Sequence, residues 1–147
     1  MKARLKTRTT IKADPASVFK YLGHTKYHPL WNPQMQSITP LVQLKEGIVY
    51  TAFSLVLGAR VRAENHVTKY VQDEVFEIRN QTGMIQYCAS FKLEALGEIT
   101  RVTCTMAVSS ESKAFAFAKP LMEHLARREL RTDLAGLKAA VEQKLEP

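Results

Sequence analysis

The chain has few of the residues and motifs that would assign it a chemistry on sight. It carries two cysteines and one tryptophan in 147 residues, so neither a disulfide framework nor a multi-cysteine metal ribbon is open to it. Six glycines and six prolines exclude collagen-like and low-complexity classes, and no Gly/Ser-rich or Pro-rich tract reads as a linker. No apolar run approaches the roughly 18 residues of a membrane span. The sequence lacks a Gly-rich phosphate loop, a His-Glu-x-x-His zinc motif, a Cys-x-x-Cys pair and a Gly-x-Ser-x-Gly elbow, which removes the standard catalytic signatures. No internal repeat is present. The opening stretch, MKARLKTRTTIKADPAS, has the charge of a secretory n-region with no apolar segment behind it, so a cytoplasmic location is expected.

What is there is ordinary in bulk. Hydrophobic residues make up 46% of the chain and charged residues 24%, as in a soluble globular protein. The length suits one domain, residues 1–147. The unusual quantity is a net charge of +7, from 21 Lys and Arg against 14 Asp and Glu. Five of those cations, Lys2, Arg4, Lys6, Arg8 and Lys12, fall in the first thirteen residues, all at even positions and with no acid among them. The excess is therefore a stripe rather than a property of the whole molecule.

Hydrophobic period divides the chain. Ala3, Leu5, Thr7, Thr9 and Ile11 alternate with the cationic residues, as in a half-buried strand. Asp14-Pro15 supplies an N-cap followed by Pro at the first helical position, predicting a short helix over 16–22 that ends at Gly23. His24 to Pro33 has room for one more helical turn. From Met35 to Ser110 the pattern is an antiparallel meander.

Register follows from bringing apolar residues opposite one another. A turn at Gly97-Glu98 pairs Leu93 with Val102, Phe91 with Cys104, Ala89 with Met106 and Tyr87 with Val108, while Glu94 meets Arg101. A turn at Thr82-Gly83 sets Ile78 opposite Tyr87 and Phe76 opposite Ala89. One at Gln72-Asp73 sets Val67 opposite Ile78 and Asn65 opposite Asn80. A three-residue loop near Gly58 brings Leu57, Leu55 and Phe53 against Val61, Ala63 and Asn65. The segment 113–146 is helical, with Leu130, Leu134, Leu137, Val141 and Leu145 on one stripe. Leu121, Met122 and Leu125 fall on another phase, so the helix kinks there or its first half packs elsewhere.

The ordered set of motifs resembles the START-like (SRPBCC) superfamily of polyketide cyclase/dehydrase and lipid-transport proteins. The matching residues are Ile11 to Ala16 with Val18-Phe19 and Tyr21-Leu22, then Pro29-Leu30-Trp31-Asn32-Pro33, Gly47, the stretch Gly97 to Thr103, and Asp133-Leu134 with Leu137-Lys138 and Val141-Glu142. The resemblance implies an α+β helix-grip fold: a curved antiparallel sheet wrapped around a long carboxy-terminal helix, with two short helices after the first strand and a ligand cavity inside. It does not imply one activity.

Candidate ligand-binding residues follow from the inner face. Asn65 and Asn80 are polar there, with Tyr87 and Cys104 nearby. A buried amide without a partner costs about 1–3 kcal/mol, so these groups bond each other, water, or a ligand's carbonyl or hydroxyl. Phe53, Phe76, Met106 and Met122 are core or cavity wall, and Trp31 either caps the cavity mouth or seals the short helices. Helix phase directs Glu123 and Arg127 into the grip if the helix is straight, and to the surface if it kinks. His24 and His28, four apart, lack a third ligand, so no metal is expected and the two are read as part of an exposed loop. Cys88 and Cys104 fall on opposite faces and do not bridge. His66 is placed on the outer face, and no cofactor is implied.

These features predict a carrier or binding protein for a hydrophobic small molecule, such as a lipid, isoprenoid or polyketide. The alternatives are a cyclase, aromatase or dehydratase using the same cavity, and a module making transient contact with an anionic membrane surface or acidic protein through the basic strand. Nucleic acid is not an expected partner, because no binding motif accompanies the charge.

Overall fold

Alternation makes the first element. The computed structural model describes residues 1–56 and 59–147, and in it β1 (Lys2–Ile11) buries Leu5 and Ile11 while Lys2, Arg4, Lys6 and Arg8 point outward. Pro15 then opens α1 (Pro15–Gly23), which buries Val18, Phe19, Tyr21 and Leu22. A single 3₁₀ turn (Thr25–Tyr27) leads into α2 (His28–Trp31). His28 is not in an exposed loop: it is 2% exposed, and its Nε2 donates to the Leu22 carbonyl at 2.8 Å. The His24 Nδ1 accepts from the Lys26 amide. The pair therefore turns to separate local tasks.

The chain returns through β2 (Met35–Thr39), β3 (Val49–Val56), β4 (Ala59–Val71), β5 (Val75–Asn80), β6 (Gln86–Leu96) and β7 (Ile99–Ser109). All pair antiparallel in the order β1-β7-β6-β5-β4-β3-β2. The β6–β7 register is the expected one, with Phe91 opposite Cys104 and Tyr87 opposite Val108. Glu94 and Arg101 approach to 3.8 Å on the outer face. Gly97 takes the positive φ of 69° that this turn needs.

The other hairpins correct the expected registers. Val67 does face Ile78, but the ladder shifts between Val67 and Lys69, so the β4–β5 turn holds Gln72, Asp73 and Glu74. The β5–β6 pairing lies two residues from the expected one: Asn80 faces Tyr87, Ile78 faces Ala89 and Phe76 faces Phe91. The cause is Asn80 itself, whose side chain donates to the carbonyls of Thr82 and Ile85 and accepts from Thr82, clasping a longer turn. A shift of two keeps every side chain on its face.

The β3–β4 correction is larger, because it changes the face. Tyr50 pairs with Asn65, Ala52 with Ala63, and Phe53 with Arg62. Phe53 and Leu55 are therefore on the outer face, and Tyr50 replaces them inside. The Arg60 guanidinium sits 4.1 Å from the Phe53 ring centroid, a cation–π contact that rewards an aromatic outside. Of the three-residue loop expected near Gly58, Ala59 and Arg60 are already in β4, paired with Val56 and Leu55; Leu57 and Gly58 lie outside the described residues.

The carboxy-terminal segment breaks at Ala118 into α3 (Lys113–Phe117) and α4 (Lys119–Glu142). Leu130, Leu134, Leu137, Ala140 and Val141 are buried along α4. Leu145 is beyond the helix and 36% exposed, its carbonyl accepting from the Tyr21 hydroxyl. α4 packs along β1, α2 and α1, completing a seven-stranded antiparallel sheet that grips one long helix. Trp31 is sealed into this junction at 5% exposure, donating from Nε1 to the Tyr21 carbonyl and meeting Phe91 edge-on. Among the described residues, no helix is long and apolar enough to cross a membrane.

Candidate functional site

The two halves of α4 differ in how they are covered. The second half buries its apolar stripe, whereas from Lys119 to Glu129 no residue is fully buried. Met122, Leu125, Ala126, Arg127 and Glu129 are half-covered there, as are Met106 and Val108 on β7 and Tyr87 on β6. Apolar side chains left partly accessible in this way are the ones available to line a binding site between the sheet and the helix.

A group of polar side chains sits on the inner face of the sheet. Tyr50 and Asn65 are both 3% exposed and face each other across β3 and β4. The Tyr87 hydroxyl, from β6, donates to the Asn65 side-chain oxygen. Burial pushes the phenols of both Tyr50 and Tyr87 well above the ordinary tyrosine range, so both stay as hydroxyls. The two asparagines do not bond each other: Asn65 bonds Tyr87 and Asn80 bonds its own turn. The bonded β4–β5 ladder ends at His66 and Arg79, one step short of the two asparagines.

Two carboxyl groups approach from α4. Burial raises the Glu129 carboxyl. Burial first, and the charge of Glu129 second, raise Asp133 to about 8, so Asp133 is largely protonated at neutrality. The Glu129 charge contributes to raising Tyr87 and that of Asp133 to raising Cys104. Cys104, fully buried, is pushed up to about 12 by burial and then by Asp133 and is an inert thiol. One Asp133 oxygen, Oδ1, is buried without a hydrogen-bond partner among the described residues.

The remaining candidates separate. Glu123 does not pair with Arg127; its carboxylate lies 3.5 Å from Lys119 Nζ, one turn back on a half-exposed surface. The break at Ala118 puts Lys119 at the helix start, where it competes for Glu123. Phe76, 1% exposed, is packed between His28 and Phe91 as core. His66 stays outside, 3.3 Å from Glu64. Cys88 and Cys104 are unpaired. Sequence reasoning missed Glu129, Asp133 and Tyr50. Asp133 lies three residues after Leu130 and four before Leu137, the spacing of same-face neighbours, and Glu129 is one turn earlier; that signal was there to read.

Comparison with known proteins agrees with the architecture. No curated protein matches the chain. Among solved structures, the Thermus thermophilus protein TTHA0849 superposes with a TM-score of 0.85 at 16% identity, covering 98% of this chain and 100% of that one. A START superfamily protein from Mycobacterium smegmatis gives 0.83 at 16% identity, with 97% and 99% covered. The Zhui aromatase/cyclase from Streptomyces gives 0.84 at 12% identity, with 99% and 97% covered. These likenesses are of fold. The sheet gripping one long helix agrees with the family model described as polyketide cyclase / dehydrase and lipid transport, which matches residues 2–142, and the chain belongs to that family.

Proposed function

We propose that the chain binds a hydrophobic small molecule, such as a lipid, isoprenoid or polyketide-like compound, between the sheet and the first half of α4, as a cytoplasmic carrier or binding protein. The observation that carries this reading is the Tyr87–Asn65 hydrogen bond on the inner face of the sheet, beside partly covered Val108, with Met106, Met122, Leu125 and Ala126 also left partly covered. Apolar walls supply affinity and a few placed polar atoms supply orientation. Native mass spectrometry of the purified protein is expected to show an apolar molecule carried through purification. Tyr87→Phe, which removes one hydrogen-bonding hydroxyl, is expected to weaken the complex by about 3- to 10-fold. Absence of any apolar ligand, or unchanged affinity in Tyr87→Phe, counts against the reading.

The likeness to an aromatase/cyclase favours an enzyme as the second reading. Asp133 with its raised pKa is then the proton donor, since an acid titrating near neutrality suits that role. Turnover of polyketide-like substrates that is lost in Asp133→Asn supports it, and no turnover across a panel removes it.

A third reading concerns the basic strand. A depression of about 1040 Å³ opens at the end of the sheet where β1, β5, β6 and β7 meet, its lining including Lys2, Arg4, Arg79, Cys88 and Ala107 of the outer face, Tyr87 and Val108 of the inner face, and Glu111. Register puts Ala107 between Arg4 and Cys88, with Arg79 beyond, so a short side chain leaves room between two guanidiniums. An acidic polypeptide is the partner this fits. Binding of poly-glutamate should weaken with salt and fall about 10-fold or more in Arg4→Glu; salt-insensitive binding would exclude it.

A further inference from the structure

The first half of the terminal helix carries a second stripe that nothing in the fold covers. Leu121 falls outside the phase of Leu130 and Leu134, and the structure shows where it goes. Across the break at Ala118 the helical bonds continue, the Ala118 amide donating to the Ala114 carbonyl and the Met122 amide to that of Ala118. Lys113, Phe117, Leu121, His124 and Arg128 therefore recur at three- and four-residue spacing on one face, and all of them are exposed. On the opposite side Phe115, Met122 and Ala126 are half-covered, and Leu130 beyond them is buried. Phe117 is 94% exposed and Leu121 54%, with Ala116 and Pro120 exposed beside them. Met84, 66% exposed, borders the start of α3, because the Ser110 hydroxyl donates to its carbonyl and accepts from the Ser112 amide. Apolar side chains scattered singly over a surface are ordinary, but a cluster of them marks a contact.

Charge says what covers it. From Lys113 to Arg131 the cations are Lys113, Lys119, Arg127, Arg128 and Arg131, against the acids Glu123 and Glu129. Glu123 is answered by Lys119 at 3.5 Å, and no acid stands on the exposed stripe. Lys2 lies at the same corner, since the Met1 ammonium donates to the Ser110 carbonyl; it and Lys113 outweigh the exposed Glu111. We propose that this stripe docks on an anionic phospholipid bilayer, Phe117 and Leu121 entering the acyl boundary while Lys113, Arg128 and Lys2 meet lipid phosphates. An apolar strip edged by cations is the composition of an interfacial helix, and each basic group close to an anionic leaflet adds attraction. A second copy of the chain is disfavoured by the net charge of +7. An acidic protein would answer the cations, but it would need a pocket of its own for a ring that projects this far. A fluid bilayer moulds itself around the ring. The surface is separate from the inner face of the sheet, and the docking does not depend on the small-molecule reading.

The test sediments the protein with sucrose-loaded vesicles of phosphatidylcholine, alone or with about 30% phosphatidylserine. Binding to the anionic vesicles is expected to exceed that to the neutral ones by about 10-fold or more and to weaken with salt. Phe117→Ser combined with Leu121→Ser should lower it by about 10-fold or more, and Lys113→Glu combined with Arg128→Glu by a similar factor. These side chains stand in solvent, so both variants should keep the parent's Tm. Arg8→Glu, at the far end of β1 from this corner, should change binding by less than about 3-fold. Insertion is read separately. Phe117→Trp should be quenched by brominated phosphatidylcholine in the anionic vesicles, whereas the parent, whose one tryptophan, Trp31, is buried, should not. Vesicle binding unchanged by the paired serine substitutions overturns the proposal. So does binding lost in Arg8→Glu with no quenching in Phe117→Trp, which would make the contact one of charge on the basic strand. Absence of vesicle binding, with self-association or poly-glutamate binding that the serine substitutions abolish, overturns it in favour of a protein partner.

Discussion

Gly136→Ala is expected to destabilise the protein, although glycine in the middle of a helix is ordinarily replaced by alanine with a gain of about 1 kcal/mol. Gly136 lies in α4 where the helix crosses α2. A Cβ placed there would fall inside the Trp31 carbonyl oxygen and within 3.1 and 3.2 Å of its carbonyl carbon and Cα. Those are backbone atoms, so no rotamer change relieves the overlap, and α2 or α4 must move. Overpacking of this kind costs about 1–3 kcal/mol and more against rigid backbone. A net loss of about 2 kcal/mol, or roughly 4–8 °C in Tm for a chain of this size, is the expected result of a thermal melt. A Tm at or above the parent's would contradict this account of the junction.

The second large effect is the dependence of stability on pH. Asp133 titrates near 8 in the folded chain and near 3.9 unfolded. Between those values the native state holds the extra proton, so stability falls with rising pH at about 1.4 kcal/mol per unit. His28 works in reverse. Burial pushes it down to about 4 against about 6.5 unfolded, so the unfolded state holds the extra proton and stability rises with pH across that window. The two slopes cancel between about pH 4 and 6.5. Above that range only the carboxyl effect operates, with the raised Glu129 acting in the same direction. Urea titrations should show a plateau followed by a loss of about 2 kcal/mol between pH 6.5 and 8. In Asp133→Asn the loss should shrink to the part due to Glu129, leaving the variant more stable than the parent by about 2–5 kcal/mol at pH 9. The variant should also expose the His28 slope that Asp133 masks below pH 6.5. A parent whose stability rises from pH 6.5 to 8, or a variant with the parent's profile, would contradict the buried placement of Asp133.

How much of this was legible depended on whether two signals agreed at each point. The β6–β7 hairpin was readable because apolar residues matched on one face, Glu94 met Arg101 on the other, and Gly97 supplied the turn. At β3–β4 the apolar match pointed the wrong way. Phe53 and Leu55 tolerate an outer face, where Arg60 covers the Phe53 ring, and the shift carried Tyr50 inward unseen. Asn80 was legible as a buried amide but not as the clasp of its own turn, since a local side-chain bond competes with ladder register. Phase along the terminal helix was taken from Leu134, which favoured Glu123 and Arg127. The half-covered start of α4 and the Lys119 contact then removed Glu123, while Asp133, flanked by Leu130 and Leu137, entered the site. Charge told least about the interior: the basic residues of β1 point outward, and the interior carries carboxyls.

The central claim is that the inner face of the sheet, rather than the basic outer face, is where the ligand sits. It is tested most directly by mapping amide chemical shifts as a neutral apolar ligand such as decanol is added to labelled protein. The account predicts the largest changes at Asn65, Tyr87 and Met106 and along α4 from Met122 to Asp133, with Lys2, Arg4, Arg79 and Ala107 little moved. Changes confined to that outer row, with α4 silent, would contradict it.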